Sequence, residues 1–215
     1  MAQPPQIPNQ FAFTAAAFEG SLVAVSIVLG WAFQLKPLQT FHPDLRDLGI
    51  SIVATLPPLV LFWLCLKVPL PPLKRIVDIL DETIVPLFRD CDFPQFAIIA
   101  LLAGMGEEML FRGIVQVSIA QEFPEPYGPW IGLGVAAVLF GLLHLVTPTY
   151  AVMATLIGLY LGWLWLAIGN LLVPITVHTI YDFCALVYLV KVRKPEEKPK
   201  DGNAQDTGDG ENNGS

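Results

Sequence analysis

Apolar residues in this chain come in runs of about twenty, the length that carries a helix across a bilayer. Six runs can be counted, at 13–33, 48–68, 93–120, 130–146, 150–168 and 171–190. At about 1.5 Å per residue each can cross roughly 30 Å of hydrocarbon, the fourth only marginally. A backbone inside a bilayer must satisfy its own hydrogen bonds, so the expected fold is all-α, a polytopic transmembrane helix bundle of about six spans. Charged residues make up 14% of the 215, against about 25% in soluble domains. That excludes an ordinary soluble domain, a disordered chain and a collagen. A net charge of −7 leaves no basic surface for nucleic acid.

The connections between runs carry turn chemistry. Pro124, Pro126, Gly128 and Pro129 precede the fourth run, Pro148 separates the fourth from the fifth, and Gly169-Asn170 separates the fifth from the sixth. Such short links make neighbouring helices antiparallel. Residues 71–88 differ: Leu73, Ile76, Val77, Leu80, Ile84 and Leu87 recur at helical spacing opposite Lys74, Arg75, Asp78, Asp81 and Glu82. This predicts an amphipathic helix in the membrane interface, since as a solvated connector its stripe would have nothing to bury against. Pro71 and Pro72 suit its start, and Pro86 limits its run. Three regions follow: an N-terminal segment at 1–12, a helical membrane domain at 13–192, and an acidic tail at 193–215 expected to be disordered. The N-terminus lacks the basic start of a secretory signal, so no cleavage is expected. Cys65, Cys91 and Cys184 are scattered and read as structural thiols.

Orientation follows from lysine and arginine. With six spans, nine of the twelve (Lys67, Lys74, Arg75, Arg89, Lys191, Arg193, Lys194, Lys198 and Lys200) fall on the side of the termini, and two, Lys36 and Arg46, on the other. The expectation is a multi-pass protein of a bacterial-type plasma membrane with both termini cytoplasmic. The twelfth, Arg112, lies inside the third run.

Arg112 is one of several ionisable groups where the composition forbids them. The third run contains Glu107, Glu108 and Arg112, the fourth ends near His144, and the sixth holds His178 and Asp182. Facing lipid, the four charges would cost roughly 10 kcal/mol, so they must converge inside the bundle. Glu108 and Arg112, four apart on one face, form a self-neutralising structural pair. Glu107 is rotated about 100° away and needs another partner, which makes it the better candidate for chemistry. Gly104 and Gly106 thin that helix and would admit a neighbouring backbone, a substrate or water. His178 and Asp182, also four apart, share a face, and Pro174 should kink their helix and free a carbonyl. Glu19, near the start of the first run, can reach the interface and is set aside.

A carboxylate and an imidazole can together deprotonate a water, and a second imidazole with a polar group can stabilise an oxyanion. Alternatively Glu107, His144 and His178 could bind a divalent metal such as zinc, although H-E-x-x-H is absent. No G-x-S-x-G elbow or nucleotide loop is present.

Glu107-Glu108-x-x-x-Arg112, Phe140-x-x-x-His144 and His178-x-x-x-Asp182, in this order on three apolar helices, resemble the signature of the CAAX-protease and bacteriocin-processing family. That family of intramembrane endopeptidases includes the type II CAAX prenyl proteases. The similarity covers roughly residues 94–187 and includes the stretch from Gly158 to Leu166. The resemblance implies Glu107 as water-activating base, His144 sharing that water, and His178 with residue 182 stabilising the oxyanion. Glu108 and Arg112 would support the site. Position 182 is often Asn in the family, and an ionised Asp182 cannot donate to an oxyanion. It would have to be protonated, orient His178 or bind a metal.

The leading expectation is therefore an endopeptidase acting on a membrane-associated or prenylated peptide or protein. A non-proteolytic scaffold or partner-binding subunit on the same fold is the alternative. A proton transporter explains the carboxylates but not their pairing with two histidines. Expected partners are the lipid bilayer and a peptide substrate. Gly158 and Gly162 could form a homodimer face, though packing within the bundle suits them at least as well.

Overall fold

The computed structural model describes residues 10–193, all helix and connection with no strand among them. Seven helices result. They are α1 (Gln10–Phe33), α2 (Leu45–Lys67), α3 (Pro71–Ile79, running on to Phe88), α4 (Phe93–Leu110, running on to Gln121), α5 (Gly128–Leu143), α6 (Pro148–Ile168) and α7 (Leu172–Val192). α1, α2, α6 and α7 are long and apolar enough to cross a membrane, the mark of a multi-pass membrane protein. α5 is apolar but shorter. The N-terminal segment to residue 9 and the acidic tail from residue 194 lie outside the described residues.

Local sequence explains the ends. Asp92 and Gln95 close a reciprocal capping box at the start of α4, with bonds of 3.0 and 2.8 Å. Thr147 caps α6, and Gly169 ends it in the left-handed region at φ 76°. α2 bends at Thr55, because Pro57 and Pro58 have no N–H to give to the preceding turn. The Ala54 carbonyl, which Pro58 cannot reach, accepts the Tyr160 hydroxyl of α6 at 2.8 Å. An expected feature that differs is the kink at Pro174. α7 begins at Leu172, so Pro174 occupies the first turn, where its missing N–H disrupts nothing. The Asn170 carbonyl is taken by the Val173 N–H instead.

The interior is set by small residues. α4 holds the centre, with Phe96, Ala100, Ala103, Gly104, Gly106 and Met109 buried. A methyl at Gly104 would meet the Ile175 carbonyl of α7 at 2.9 Å, and one at Gly106 the Glu19 carbonyl of α1 at 2.7 Å. Of the neighbours these glycines could admit, they admit two helix backbones. Gly158 and Gly162 likewise seat Ala137 of α5 and Gln116 of α4. Both are buried inside the bundle, where they serve packing between its helices. Outward surfaces are apolar: Trp31 is 84% exposed and Phe13 76%.

α3 covers residues 71–88, as the periodicity predicts. Its stripe does find protein to bury against, since Phe88 joins Ala12 and Phe96 in one buried cluster with Ile84 packed on it. Arg193, just beyond α7, grips Asp81 of α3 through both carboxylate oxygens at 2.6 and 2.9 Å. The three cysteines are free thiols, Cys65 and Cys91 buried and Cys184 half-buried.

Candidate active site

The fold gathers all six intramembrane groups of the sequence reading in one place. Helical phase sets the two α4 carboxylates apart: Glu108 points into the bundle, fully buried, and Glu107 towards the cleft, 12% exposed. Immediately after them α4 widens into a π-helical turn over Phe111–Gln116. Such turns are frequent at functional sites.

Arg112 lies in this turn and is 1% exposed. A charge buried so deeply needs every contact it makes. Its Nη1 donates to Glu108 Oε1 at 2.8 Å and its Nη2 to the Gly158 carbonyl of α6, also at 2.8 Å. Its guanidinium carbon stands 5.2 Å from the centre of the Phe140 ring. Phe140 also stacks on His144 at 4.5 Å and meets Phe111 edge-on at 5.0 Å. It thus joins the supporting charge to the reactive imidazole.

The protons of the histidines can be read from their partners. His144 Nδ1 lies 2.8 Å from the Phe140 carbonyl, which only accepts, so Nδ1 carries hydrogen. In the neutral ring Nε2 is then a lone pair, and it faces Glu107 Oε2 at 3.9 Å. His178 Nδ1 donates to Glu108 Oε1 at 2.9 Å. Its Nε2 faces Glu107 Oε2 at 4.0 Å and Asp182 Oδ2 at 3.4 Å. The 3.9 and 4.0 Å separations are too long for direct hydrogen bonds and invite a bridging water. Glu107 Oε2 is buried and accepts no hydrogen bond among the described residues. His144 and Asp182, 30% and 29% exposed, form the open rim.

Two relations are absent from the sequence reading. Glu108 holds both Arg112 and His178 through one oxygen, so the pair regarded as self-contained also orients an imidazole. Helical spacing carries no information on that bond, which joins residues 70 apart. Glu19, set aside as interfacial, lies against Gly106 and within electrostatic reach of Asp182 and His178. Its Oε2 is buried and without a hydrogen bond among the described residues. The signal was its position ten residues into a membrane helix, too deep for an easy escape to water. The third histidine, His42, belongs to the connection between α1 and α2, where its backbone binds Asn170.

Metal binding was tested on the donors themselves. Among the described residues no three His, Cys, Asp or Glu groups stand in metal-holding geometry. His144 Nε2, His178 Nε2 and Glu107 Oε2 face one another without forming such a set, so no step is derived through a metal.

Residues 90–184 match the family described as type II CAAX prenyl endopeptidase, Rce1-like. An uncharacterized protein, YpbD of Bacillus subtilis (strain 168), is 34% identical over 99 residues, covering 45% of this chain and 46% of that relative. The aligned part thus spans about half the length of the relative. No solved structure matches. The matched segment contains Glu107, Glu108, Arg112, Phe140, His144, His178 and Asp182 and leaves out Glu19. Over residues 90–184, somewhat under half of its length, the chain is similar to the Rce1-like type II CAAX prenyl endopeptidase family.

Proposed function

We propose that the protein is an intramembrane endopeptidase that hydrolyses a peptide bond with water activated by Glu107 and His144. One observation carries this reading: a single buried carboxylate oxygen, Glu107 Oε2, without a hydrogen bond among the described residues, faces the Nε2 atoms of two oriented imidazoles. A water held there gives one proton to Glu107 while its oxygen attacks the substrate carbonyl carbon. The carbonyl π pair moves onto oxygen, and His178, a doubly protonated ring between the carboxylates at its two nitrogens, donates its Nε2–H to that oxyanion. Collapse of the intermediate breaks the C–N bond, and the proton on Glu107 passes to the leaving amine.

Glu108 and Arg112 do the holding. Glu108 fixes the orientation of the His178 ring through its Nδ1–H and Arg112 neutralises Glu108, as a third group orients the imidazole in other hydrolases. The substrate class is a membrane-associated or prenylated peptide or protein, which the apolar outer surface and the family suit. The membrane domain, 13–192, is read as about six spans with both termini cytoplasmic and α3 in the interface. A C-terminal alkaline-phosphatase fusion that is active would overturn this orientation.

The test of the activity is cleavage of a membrane-peptide library by purified wild type beside Glu107→Gln, with and without chelator. Cleavage by wild type alone, insensitive to chelator, is expected. Failure of wild type to cleave would favour the scaffold alternative, and chelator sensitivity would favour a metal.

A further inference from the structure

The proposed hydrolysis leaves one requirement unmet. His178 Nδ1 is committed to Glu108, so only Nε2 of that ring faces the reacting centre. Asp182 Oδ2, 3.4 Å from it, accepts hydrogen bonds as a carboxylate and donates none. The oxygen that becomes negative during attack needs a second, neutral donor, and position 182 does not provide it here.

Tyr150 meets the chemical requirement. It stands in the first turn of α6, where its own N–H bonds the capping Thr147 hydroxyl at 3.0 Å and fixes that turn. Its ring centre lies 6.5 Å from that of His144. Asp182 and Glu107 of the site, Cys65 of α2 and Tyr181 of α7 are the ionisable groups in electrostatic reach of its hydroxyl. That hydroxyl has no hydrogen-bond partner among the described residues, although the residue is half-buried. Tyr160, ten residues along the same helix, gives its hydroxyl to the Ala54 carbonyl. A neutral O–H without a protein partner among the described residues, on a ring next to that of His144 and on a capped turn, is an oxyanion donor in waiting.

We propose that Tyr150 is a further catalytic residue, whose hydroxyl donates to the oxyanion from the His144 side of the cleft and replaces the donor that Asp182 does not supply. This rests on the endopeptidase reading above. During attack the Tyr150 proton stays on its oxygen, and it shifts only from an unpaired state to a hydrogen bond with the new oxyanion.

The experiment compares turnover of wild type, Tyr150→Phe, Asp182→Asn and the double variant on a peptide that wild type cleaves. Tyr150→Phe should lower kcat about 100-fold with KM nearly unchanged, the size of losing one oxyanion donor. Asp182→Asn restores a neutral donor, so adding Tyr150→Phe to it should cost less than about 5-fold; that non-additivity is what two donors to one oxygen produce. Tyr188→Phe, whose ring packs edge-on to Phe62 on α2, serves as control and should stay within about 3-fold. Unchanged kcat in Tyr150→Phe, or an equal loss in both backgrounds, overturns the proposal while leaving the peptidase reading intact. A wild type that cleaves nothing sinks both. Unfolding of Tyr150→Phe would also contradict it, because a hydroxyl without an internal partner holds nothing together.

Discussion

Two polar clusters interrupt the apolar bundle, and they differ in how completely their atoms are paired. At one end Asn170 uses its whole side chain. Its Oδ1 accepts from His42 N and Leu172 N, each at 3.0 Å, and its Nδ2 donates to the His42 carbonyl and to Asp47 Oδ2, each at 2.8 Å. In the other cluster the inner half is bonded through one oxygen, Glu108 Oε1, which accepts from both Arg112 and His178, while Glu108 Oε2 and Arg112 Nε are buried without a partner among the described residues. Its outer half has not even that bond: Glu107 Oε2 and Glu19 Oε2 are buried with no hydrogen bond among the described residues. A satisfied polar group rigidifies a fold, while an unsatisfied one is costly and persists where chemistry uses it. The contrast separates what holds this molecule together from what it works with.

Substitutions can break that contrast in a definite order of stability. Arg112→Ala strips the buried Glu108 of its counter-ion and should destabilise by about 3–5 kcal/mol. Thermal unfolding in detergent measures it, and a melting temperature near wild type would mean the pair is not holding α4 to α6. Asn170→Ala leaves the Asp47 and loop partners unpaired and should cost about 2 kcal/mol. Activity per folded molecule should stay at the wild-type level, because the clasp is remote from the cleft; a lost turnover would show that the two clusters are coupled. Glu19→Gln is the smallest effect and has the opposite sign. Removing an uncompensated buried charge should stabilise by about 1 kcal/mol. A destabilised Glu19→Gln would mean that Glu19 has a supporting role.

The sequence was most legible where periodicity acts within one helix. The apolar runs gave the helices, the i,i+4 spacings gave Glu108–Arg112 and His178–Asp182, and the 100° offset separated Glu107 from Glu108. It was least legible where two helices meet. The Glu108–His178 bond, the burial of Glu19 against Gly106 and the seat of Arg112 on the Gly158 carbonyl depend on which helix faces which. The expected Pro174 kink missed because a proline's effect depends on its distance from the helix start, and α7 begins two residues before it. That Ile84 of the α3 stripe packs on the Phe88–Phe96 cluster was not legible either, because local pattern cannot tell protein from lipid.

The division between holding and working groups rests on the two adjacent carboxylates of α4. Turnover of purified Glu107→Gln, measured at a temperature where its unfolding curve overlays that of wild type, tests it most directly. Loss of cleavage by about 10⁴-fold in a fully folded protein is the predicted result, the upper range for removing a general base. Cleavage within about tenfold of wild type would contradict a water-activating role for Glu107.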